Sequence, residues 1–341
     1  MQQLVASLTA PHWLTPVLLG TALTLGCTSD NKSGDADAVA GSSTSGGNAA
    51  ASGAASSGGS AGSAGATNDV RGSLVVSLAA PVDDSPGYTT LIGRFFAGPT
   101  PDPAPLKLDT KLGDCELLVP VIPFCIEACS PGVCTADDKC TSYPAPLSVG
   151  ALTVNGLGTE LVLAPATSMV VYQSPSLPYP PCAEGTKVTA SASGFALEAD
   201  CVAPLTLTGP DPIPVKAGAS VQVGWEKPSV AGSSRIRIGL DLSHHGGKKG
   251  QIDCEVPDTG SFEIPEALVT KLVGLGLAGY PTINVNRVSV GVDASNPEVS
   301  LLLSSSLTRA VDTGVFSCQD DVECPAGQTC QIGGTCGMPP T

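Results

Sequence analysis

The stretch Arg235-Ile236-Arg237-Ile238-Gly239-Leu240-Asp241-Leu242 decides the fold that we expect for this chain. Apolar side chains fill every second position, and Arg235, Arg237 and Asp241 stand between them. A period of two with one polar side is typical of a half-buried strand in an antiparallel sheet. The stretch therefore predicts a long strand with one face on a core and the other toward water.

The same alternation recurs on both sides of this stretch. Further alternating runs begin at Leu74, Val188, Leu205, Val221, Ile252, Phe262 and Val299. Turn signals such as Pro257-Asp258-Thr259-Gly260 lie between them. About a dozen strands at this spacing indicate a mostly β fold. We expect one or two Ig-like antiparallel β-sandwiches over residues 69–310, with a possible division near residues 202–204.

One segment has the period of a helix. Pro265 can open a helix because a first-turn N–H has no partner in any case. Leu268, Val269 and Leu272 would then form an apolar stripe, and Gly274 can end the helix. We expect one short helix that covers an end of the sandwich.

Composition excludes several classes of function. Charged residues make up 14% of the 341 residues, whereas Gly (40) and Pro (30) are abundant, as in folds with many turns. The formal net charge is -15. Such a surface repels phosphate backbones and anionic headgroups, so we expect no binding of nucleic acid and no direct binding of lipid by the folded part.

The N-terminal segment carries an export signal. Residues 13–25 are apolar but too few to span a bilayer. They end in Leu23-Thr24-Leu25-Gly26-Cys27, which resembles the lipobox of bacterial lipoproteins. The resemblance implies a signal peptide over residues 1–26, acylation of Cys27 and, because Thr28 follows, the outer membrane. The alternative is an ordinary secretory signal cut nearby, which would leave Cys27 unpaired.

Residues 27–68 form the expected tether. Residues 40–67 contain only Ala, Gly, Ser, Thr and Asn, and have too little apolar surface to offset the entropy of ordering. A flexible chain of this length spans roughly 35 Å. The expected location is thus the cell envelope, with the protein lipid-anchored in the outer membrane and facing the periplasm or the exterior.

The sequence has thirteen cysteines, and setting Cys27 aside leaves an even number for disulfides. The disulfide candidates are Cys115, Cys125, Cys129, Cys134, Cys140, Cys182, Cys201, Cys254, Cys318, Cys324, Cys330 and Cys336. An even count behind an export signal favours disulfides in an oxidising compartment. Zinc is the alternative, because the spacing of Cys125, Cys129 and Cys134 lies near that of thiolate sites.

Nine of the cysteines form two clusters, with five at residues 115–140 and four in a module over residues 311–341. The two clusters share a similar spacing and indicate a loose internal repeat. Four tail cysteines allow three pairings. Of these we favour Cys318–Cys330 with Cys324–Cys336. The tail resembles small Cys-rich modules appended to exported bacterial proteins.

A second resemblance concerns the body. Val221-x-Val223-x-Trp225, then Cys254, Asp258-x-Gly260-x-Phe262 and finally Arg287 form an ordered series. The series resembles a β-sandwich pattern that recurs in bacterial envelope lipoproteins. Because those proteins mostly lack an assigned activity, the resemblance implies a fold more than a function.

We predict no catalytic residue from the sequence. The histidines are His12, in the signal peptide, and His244 and His245, in a Gly- and Lys-rich hairpin tip that holds a base poorly. The G-x-G-x-x-G match at residues 274–279 follows the helix instead of opening it, so it indicates a connection and not a nucleotide site. Carboxylate chemistry stays open, with candidates Asp258, Glu226, Glu255, Glu263 and Glu266.

Two further groups of residues could contact ligands. The pairs Asp137-Asp138 and Asp320-Asp321 could contact calcium but lack the spacing of an EF-hand, and we interpret them as turns. Tyr172, Tyr179 and Tyr280 are the aromatic residues available for stacking on a sugar. Trp225 is in phase with its apolar neighbours and is expected in the core.

Together these patterns predict an envelope lipoprotein that displays a disulfide-braced β domain for binding or scaffolding. Its expected partners are the membrane, through the lipid, and a surface polysaccharide or protein. No metal or cofactor is expected. The alternatives are an exported hydrolase with carboxylate chemistry and a passive structural component.

Overall fold

The structure is a computed structural model. It describes residues 70–82, 84–166, 170–244, 247–315, 318, 321–324, 326–331 and 336–338. The predictions for Cys27, His12, His245 and the tether therefore lie outside the described residues. Within the described ranges, no helix has both the length and the apolar character needed to cross a membrane.

The described chain is built from twenty-one strands, one α-helix and one short 3-10 helix, Asp321–Glu323. The first eleven strands are β1 (Arg71–Ala79), β2 (Tyr88–Phe96), β3 (Leu106–Leu112), β4 (Cys115–Pro120), β5 (Val133–Ala136), β6 (Lys139–Thr141), β7 (Leu152–Leu157), β8 (Thr159–Leu163), β9 (Val171–Gln173), β10 (Lys187–Ala192) and β11 (Phe195–Asp200). The remaining elements are β12 (Leu207–Thr208), β13 (Ile213–Pro214), β14 (Val221–Trp225), β15 (Arg235–Asp241), β16 (Gln251–Pro257), β17 (Ser261–Ile264), α1 (Glu266–Gly274), β18 (Thr282–Val292), β19 (Val299–Asp312), β20 (Thr329–Cys330) and β21 (Cys336–Gly337).

One long sheet organises the body. Its strand order is β3-β4-β16-β15-β18-β19-β1-β2-β9, and β13 pairs with the far end of β19. Most pairs are antiparallel, as predicted, but β1 and β13 run parallel to β19. Alternation within single strands does not carry this information, because both kinds of pairing place alternate side chains on opposite faces.

Two smaller sheets pack on the long sheet and enclose two hydrophobic cores. Core 1 lies under the sheet β11-β10-β7-β8, and its buried residues include Leu74, Val154 and Leu301. Core 2 lies under the sheet β12-β14-β17 and the helix α1, and it includes Trp225 and Ile238. Because β18 and β19 run past both cores, the body is a pair of sandwiches on one shared sheet.

The prediction of a mostly β sandwich with one short helix is confirmed. The opening stretch of the sequence forms β15, whose apolar side chains Ile236, Ile238 and Leu240 are all buried. The predicted helix is α1, and its buried residues are Leu268, Val269 and Leu272.

All twelve cysteines after Cys27 form disulfides in the described structure. Cys115–Cys254 joins the adjacent strands β4 and β16 within the long sheet, and Cys182–Cys201 lies at core 1. The other four bonds are Cys125–Cys134, Cys129–Cys140, Cys318–Cys330 and Cys324–Cys336. The tail thus has the pairing that the sequence analysis favours.

The two Cys-rich segments share one design. Leaving out Cys115, which bonds Cys254, each segment has four cysteines, of which the first bonds the third and the second bonds the fourth. The third and fourth cysteines also face each other across a two-stranded hairpin, as Cys134 and Cys140 in β5–β6 and as Cys330 and Cys336 in β20–β21. The similar spacing in the sequence therefore corresponds to a similar local structure.

Candidate functional site

Two polar sites stand out on the long sheet, and the first lies buried between the cores. Arg287 projects from β18, and its side chain is 2% exposed, while that of Asp258 is 1% exposed. The Nε of Arg287 donates to Asp258 Oδ2 over 2.6 Å. Trp225 Nε1 and Ser234 Oγ donate to the same carboxylate over 2.6 and 2.7 Å.

The rest of the Arg287 guanidinium binds main-chain carbonyls from two connections. Nη1 donates to Pro204 O over 2.9 Å, and Nη2 donates to Glu226 O over 2.5 Å. In addition, Leu205 N donates to Ser305 Oγ, and Ser305 faces Arg287 across β18 and β19. These bonds hold the connections at the junction of core 1 and core 2 against the long sheet.

This buried cluster explains the series of residues found in the sequence. Trp225, Asp258 and Arg287 are far apart in the chain but share one carboxylate. A buried ion pair with its hydrogen bonds satisfied fixes the packing around it and leaves no group free for a ligand. The predicted division near residues 202–204 falls at this junction, where the chain passes from one core to the other.

The second site is open to solvent and lies on the face of the long sheet turned away from the cores. It is a cavity of about 720 Å³. We call it the open groove and define it by its lining residues, which are Lys111, Gly113, Asp114, Glu116, Arg237, Ile238, Gly239, Asp253, Cys254, Glu255, Asn284 and Asn286. Its volume lies within the range of about 300–1,000 Å³ that is usual for ligand sites.

Strand register arranges the polar residues of the open groove in rows. One row crosses five strands as Glu116, Asp253, Gly239, Asn284 and Thr308. Side chains opposite one another on adjacent strands project from the same face of a sheet. The row therefore forms a continuous polar strip with a glycine at its centre.

Hydrogen bonds connect the amide side chains of the groove. Asn286 Nδ2 donates to Asn284 Oδ1, and Asn284 Nδ2 donates to Thr308 Oγ1 over 3.0 Å. Gln251 Nε2 donates to Asp253 Oδ2 over 2.6 Å. These bonds orient the amides along the strip.

Most charges in the open groove are paired. Lys111 Nζ lies 2.7 Å from Glu116 Oε1, and Arg237 Nε lies 3.0 Å from Glu255 Oε2. Asp114 and Asp253 differ, because neither forms a salt bridge with any described residue. Burial raises the pKa of the Asp253 carboxyl, and the bond from Gln251 opposes that effect only in part.

The five carboxylates considered for catalysis are not gathered at one place. Of the five, only Glu255 lines the open groove. Asp258 is held in the buried cluster, and Glu226, Glu263 and Glu266 are exposed after β14, in β17 and in α1. The sequence pattern could not show which of these carboxylates face one another, because that depends on the register between strands.

The described residues of the other sequence motifs lie in connections or at the end of the helix. His244 lies in the exposed connection between β15 and β16, beside a smaller cavity of about 330 Å³. Gly274 ends α1, so the glycine motif leads away from the helix. Asp137 and Asp138 accept main-chain N–H bonds from Phe124 and Ile126 within their Cys-rich loop.

The aromatic prediction was wrong for Tyr172. Its side chain is fully buried in core 1 and packs edge-on against Phe95, with 5.6 Å between ring centroids. Its hydroxyl donates to Gly150 O and accepts from Val149 N, so the ring has an internal role. Tyr179 is half-buried against core 1, whereas Tyr280 is 72% exposed. Trp225 is buried, as expected.

Sulfur atoms crowd together in both Cys-rich segments. One set comprises Cys125, Cys129 and Cys140, and the other comprises Cys318, Cys324 and Cys336, with each set lying within 4.8 Å. Every one of these cysteines is in a disulfide. Zinc binds thiolates, and these sulfurs are not thiolates while they form disulfides. In the described pairing they therefore act as crosslinks.

Comparisons with known proteins give no family for this chain. No family model and no curated protein matches it. Among solved structures, the crystal structure of the chicken CNTN1 FN1-FN3 domains matches 66% of this chain and 83% of its own, with 8% identity and a TM-score of 0.18. A score this low supports no inference about topology or activity.

Sequence reasoning missed Glu116, Asp253 and Asn284 as site residues. A signal for Asp253 was present, because Gln251, Asp253 and Glu255 alternate with buried neighbours in β16. That signal places them on the solvated face of one strand. It does not show which strands flank β16, and so it does not bring Glu116 opposite Asp253.

Proposed function

We propose that this protein is a lipid-anchored protein of the bacterial outer membrane that displays its β body for binding or scaffolding. The observation that carries the proposal is the set of six disulfides. A chain that depends on so many disulfides needs an oxidising compartment. The thirteen cysteines less these twelve leave Cys27 alone, and Cys27 is the residue at the lipobox.

The arrangement of the body fits display. Disulfides, a buried ion pair and two cores give a rigid body, and the tether would separate it from the membrane. The open groove gives that body a polar surface on the long sheet. In this proposal the lipid and the tether supply the location, and the groove supplies recognition.

The experiment is metabolic labelling of the full chain with radioactive palmitate in a Gram-negative host, followed by membrane fractionation. The wild type is expected to incorporate label and to sediment with the outer membrane. Cys27→Ser is expected to lose both. Cys336→Ser serves as the control, because it removes a cysteine but keeps the lipobox. A wild type that stays unlabelled and soluble would overturn the proposal.

A second candidate is an exported hydrolase with carboxylate chemistry. The observation that favours it is the pair Asp253 and Glu116, which face each other across β16 and β4 inside the open groove. The raised pKa of Asp253 is the property needed by a general acid, and glycoside hydrolysis uses two such carboxyls. Release of reducing sugar by the wild type, abolished in Asp253→Asn, would favour this candidate.

A further inference from the structure

The open groove has a floor made by a glycine. Gly239 lies in the middle of β15, between Asp253 on β16 and Asn284 on β18. A Cβ placed on Gly239 would lie 3.5 Å from Asp253 Oδ1, which is an ordinary contact. Neither a strained backbone nor a clash therefore requires glycine at this position. Glycine inside a strand weakens the strand, so a glycine there often marks the close approach of a ligand.

The groups around Gly239 include both hydrogen-bond donors and hydrogen-bond acceptors. Asn284 and Asn286 offer amide donors and acceptors, and Asp253 offers a carboxylate without a salt bridge to any described residue. Four of the neighbouring charges are neutralised locally in the pairs Lys111–Glu116 and Arg237–Glu255, and Asp114 is the further lining carboxylate without a salt bridge to any described residue. The site thus presents directional polar contacts with little uncompensated positive charge.

Two classes of ligand fit this surface poorly. Anions meet four lining carboxylates against two cations, where the carboxylates are those of Asp114, Glu116, Asp253 and Glu255. Protein partners usually need buried aromatic or large apolar anchors. The only large apolar residue in the lining is Ile238, which is 1% exposed and belongs to core 2.

A peptide strand also lacks a route to the centre of the groove by backbone pairing. Addition of a strand requires a free sheet edge. The groove lies over β15, whose two sides are already paired with β16 and β18. A ligand over β15 can therefore contact only the side chains of the groove and the bare surface of Gly239.

We propose that the open groove binds a hydroxyl-rich, uncharged oligosaccharide segment that lies along the polar strip over Gly239. In this arrangement Asp253 accepts a hydrogen bond from a sugar hydroxyl, and the amides of Asn284 and Asn286 both donate and accept. Hydroxyl groups match such mixed donors and acceptors, and a sugar ring fits where Gly239 leaves space. The inference rests on the proposed function, for which it names the site and the class of ligand.

The test uses the full-length chain purified in detergent and measures its retardation in gels containing dextran, mannan or xylan. Alginate, a polyanion, serves as the comparison. The wild type is expected to be retarded by at least one neutral polysaccharide and not by alginate. Asp253→Asn and Gly239→Val are expected to weaken that retardation at least tenfold in apparent affinity, on the order of 1.4 kcal/mol.

Gly239→Val separates binding from folding. Valine suits a strand, and the backbone at Gly239 is not in the left-handed region, so the variant should fold at least as well as the wild type while filling the floor. Glu266→Gln is the matched control, because it removes an exposed carboxylate on α1, outside the groove. A circular dichroism spectrum equal to that of the wild type, with an unfolding midpoint no lower than that of the wild type, would verify the fold of each variant.

Several outcomes would overturn the inference. They are no retardation by any of the three neutral polysaccharides, retardation that persists in Gly239→Val, and retardation by alginate alone. Failure here leaves the palmitate experiment untouched, since anchoring does not depend on the groove. Release of reducing sugar that is lost in Asp253→Asn would support the groove as the glycan site and replace binding by hydrolysis in the proposed function.

Discussion

Asp253 and Asp258 are five residues apart on the same strand and its following turn, yet the two carboxylates have opposite environments. Asp258 turns into the junction of the two cores and accepts bonds from Arg287, Trp225 and Ser234. Asp253 turns to the open face, where Gln251 is its hydrogen-bond donor and burial raises its pKa. One carboxylate is fully compensated, and the other keeps acceptor capacity.

The difference teaches how a rigid β body can keep a polar site. Burial of a charge demands a partner within the fold, because an unpaired buried charge costs several kcal/mol. Asp258 meets that demand with Arg287, and its bonds tie the junction together. Asp253 is only partly buried, so the fold tolerates it without a cation, and the remaining hydrogen-bonding capacity is left for a ligand. Replacement of each group tests this contrast.

The largest effect is expected from Arg287→Met. The substitution leaves Asp258 buried without its cation, so we expect a loss of about 3–5 kcal/mol in the free energy of unfolding. Urea unfolding followed by Trp fluorescence measures the loss. Arg237→Met is the matched control, because Arg237 also projects from the long sheet but pairs at an exposed site, where about 1 kcal/mol or less is expected.

The double variant Arg287→Met with Asp258→Leu sharpens the result. It removes both charges, so it should be more stable than Arg287→Met alone. An Arg287→Met loss no greater than that of Arg237→Met would contradict the structural role of the buried cluster.

The next effect concerns Cys115–Cys254, which holds β4 beside β16 and so keeps Glu116 opposite Asp253. The bond closes a loop of 139 residues, for which chain entropy alone gives about 5 kcal/mol. Three other disulfides lie inside that loop and already constrain the unfolded chain. We therefore expect Cys115→Ala with Cys254→Ala to cost about 2–4 kcal/mol in urea unfolding.

Removal of Cys125–Cys134, which closes a separation of 9 residues, is the comparison for this prediction. Its sulfurs lie in an exposed Cys-rich loop outside both cores, so a smaller loss is expected. Equal losses of stability in the two double variants would show that Cys115–Cys254 stabilises the fold no more than Cys125–Cys134 does.

Asp293 extends the comparison to a third carboxylate, whose described partners are all hydrogen-bond donors without a charge. Asp293, which is buried, accepts bonds from the Ser295 hydroxyl, from Ala196 N and from the main chain of Ser295 and Asn296, and these bonds lower its pKa to about 2. A pKa below the unfolded value, about 4, gives stability that is present above pH 4 and is lost as the pH falls toward 2.

Acid unfolding measures this effect. Asp293→Asn should be less stable than the wild type near pH 6 and should lack that acid-dependent loss. Asp102→Asn is the control, because Asp102 is exposed and accepts a single main-chain bond within its loop. Parallel pH profiles for wild type and Asp293→Asn would contradict the prediction.

Much of the fold could be predicted because the strands and the helix follow from the local spacing of apolar residues. Alternation placed β15, and helical spacing with Pro265 placed α1. The parallel pairing of β1 with β19 could not be predicted, because it joins residues more than two hundred positions apart and leaves no local pattern.

The candidate site was less predictable for the same reason. The sequence shows that Asp253 lies on a polar face, but the cavity depends on the register that aligns Glu116, Gly239 and Asn284 with it. Tyr172 was predicted as available to a ligand but is buried in core 1. It stands outside a long alternating run, and only packing against Phe95 shows that it belongs to a core.

The smallest effect on stability is expected from Asp253→Asn. The pKa of Asp253 is raised by burial and by Glu116 and Asp241 nearby, whereas Gln251 and Lys248 lower it. A raised carboxyl pKa means that the wild type loses stability as the pH rises through the folded pKa. The variant should therefore lie within about 0.5 kcal/mol of the wild type, with a gain near pH 7, in urea unfolding at pH 4 and pH 7.

Glu255→Gln provides a control of opposite sign on the same strand. Burial alone would raise the pKa of Glu255, but bonds from Arg237 and Arg235 lower it overall. Its stabilisation is therefore present above the unfolded pKa, so Glu255→Gln should lose stability near pH 7 while Asp253→Asn gains it. A loss in both variants would mean that Asp253 is already compensated within the fold. The contrast with Asp258 would then disappear, and with it the reason to expect a ligand at this carboxylate.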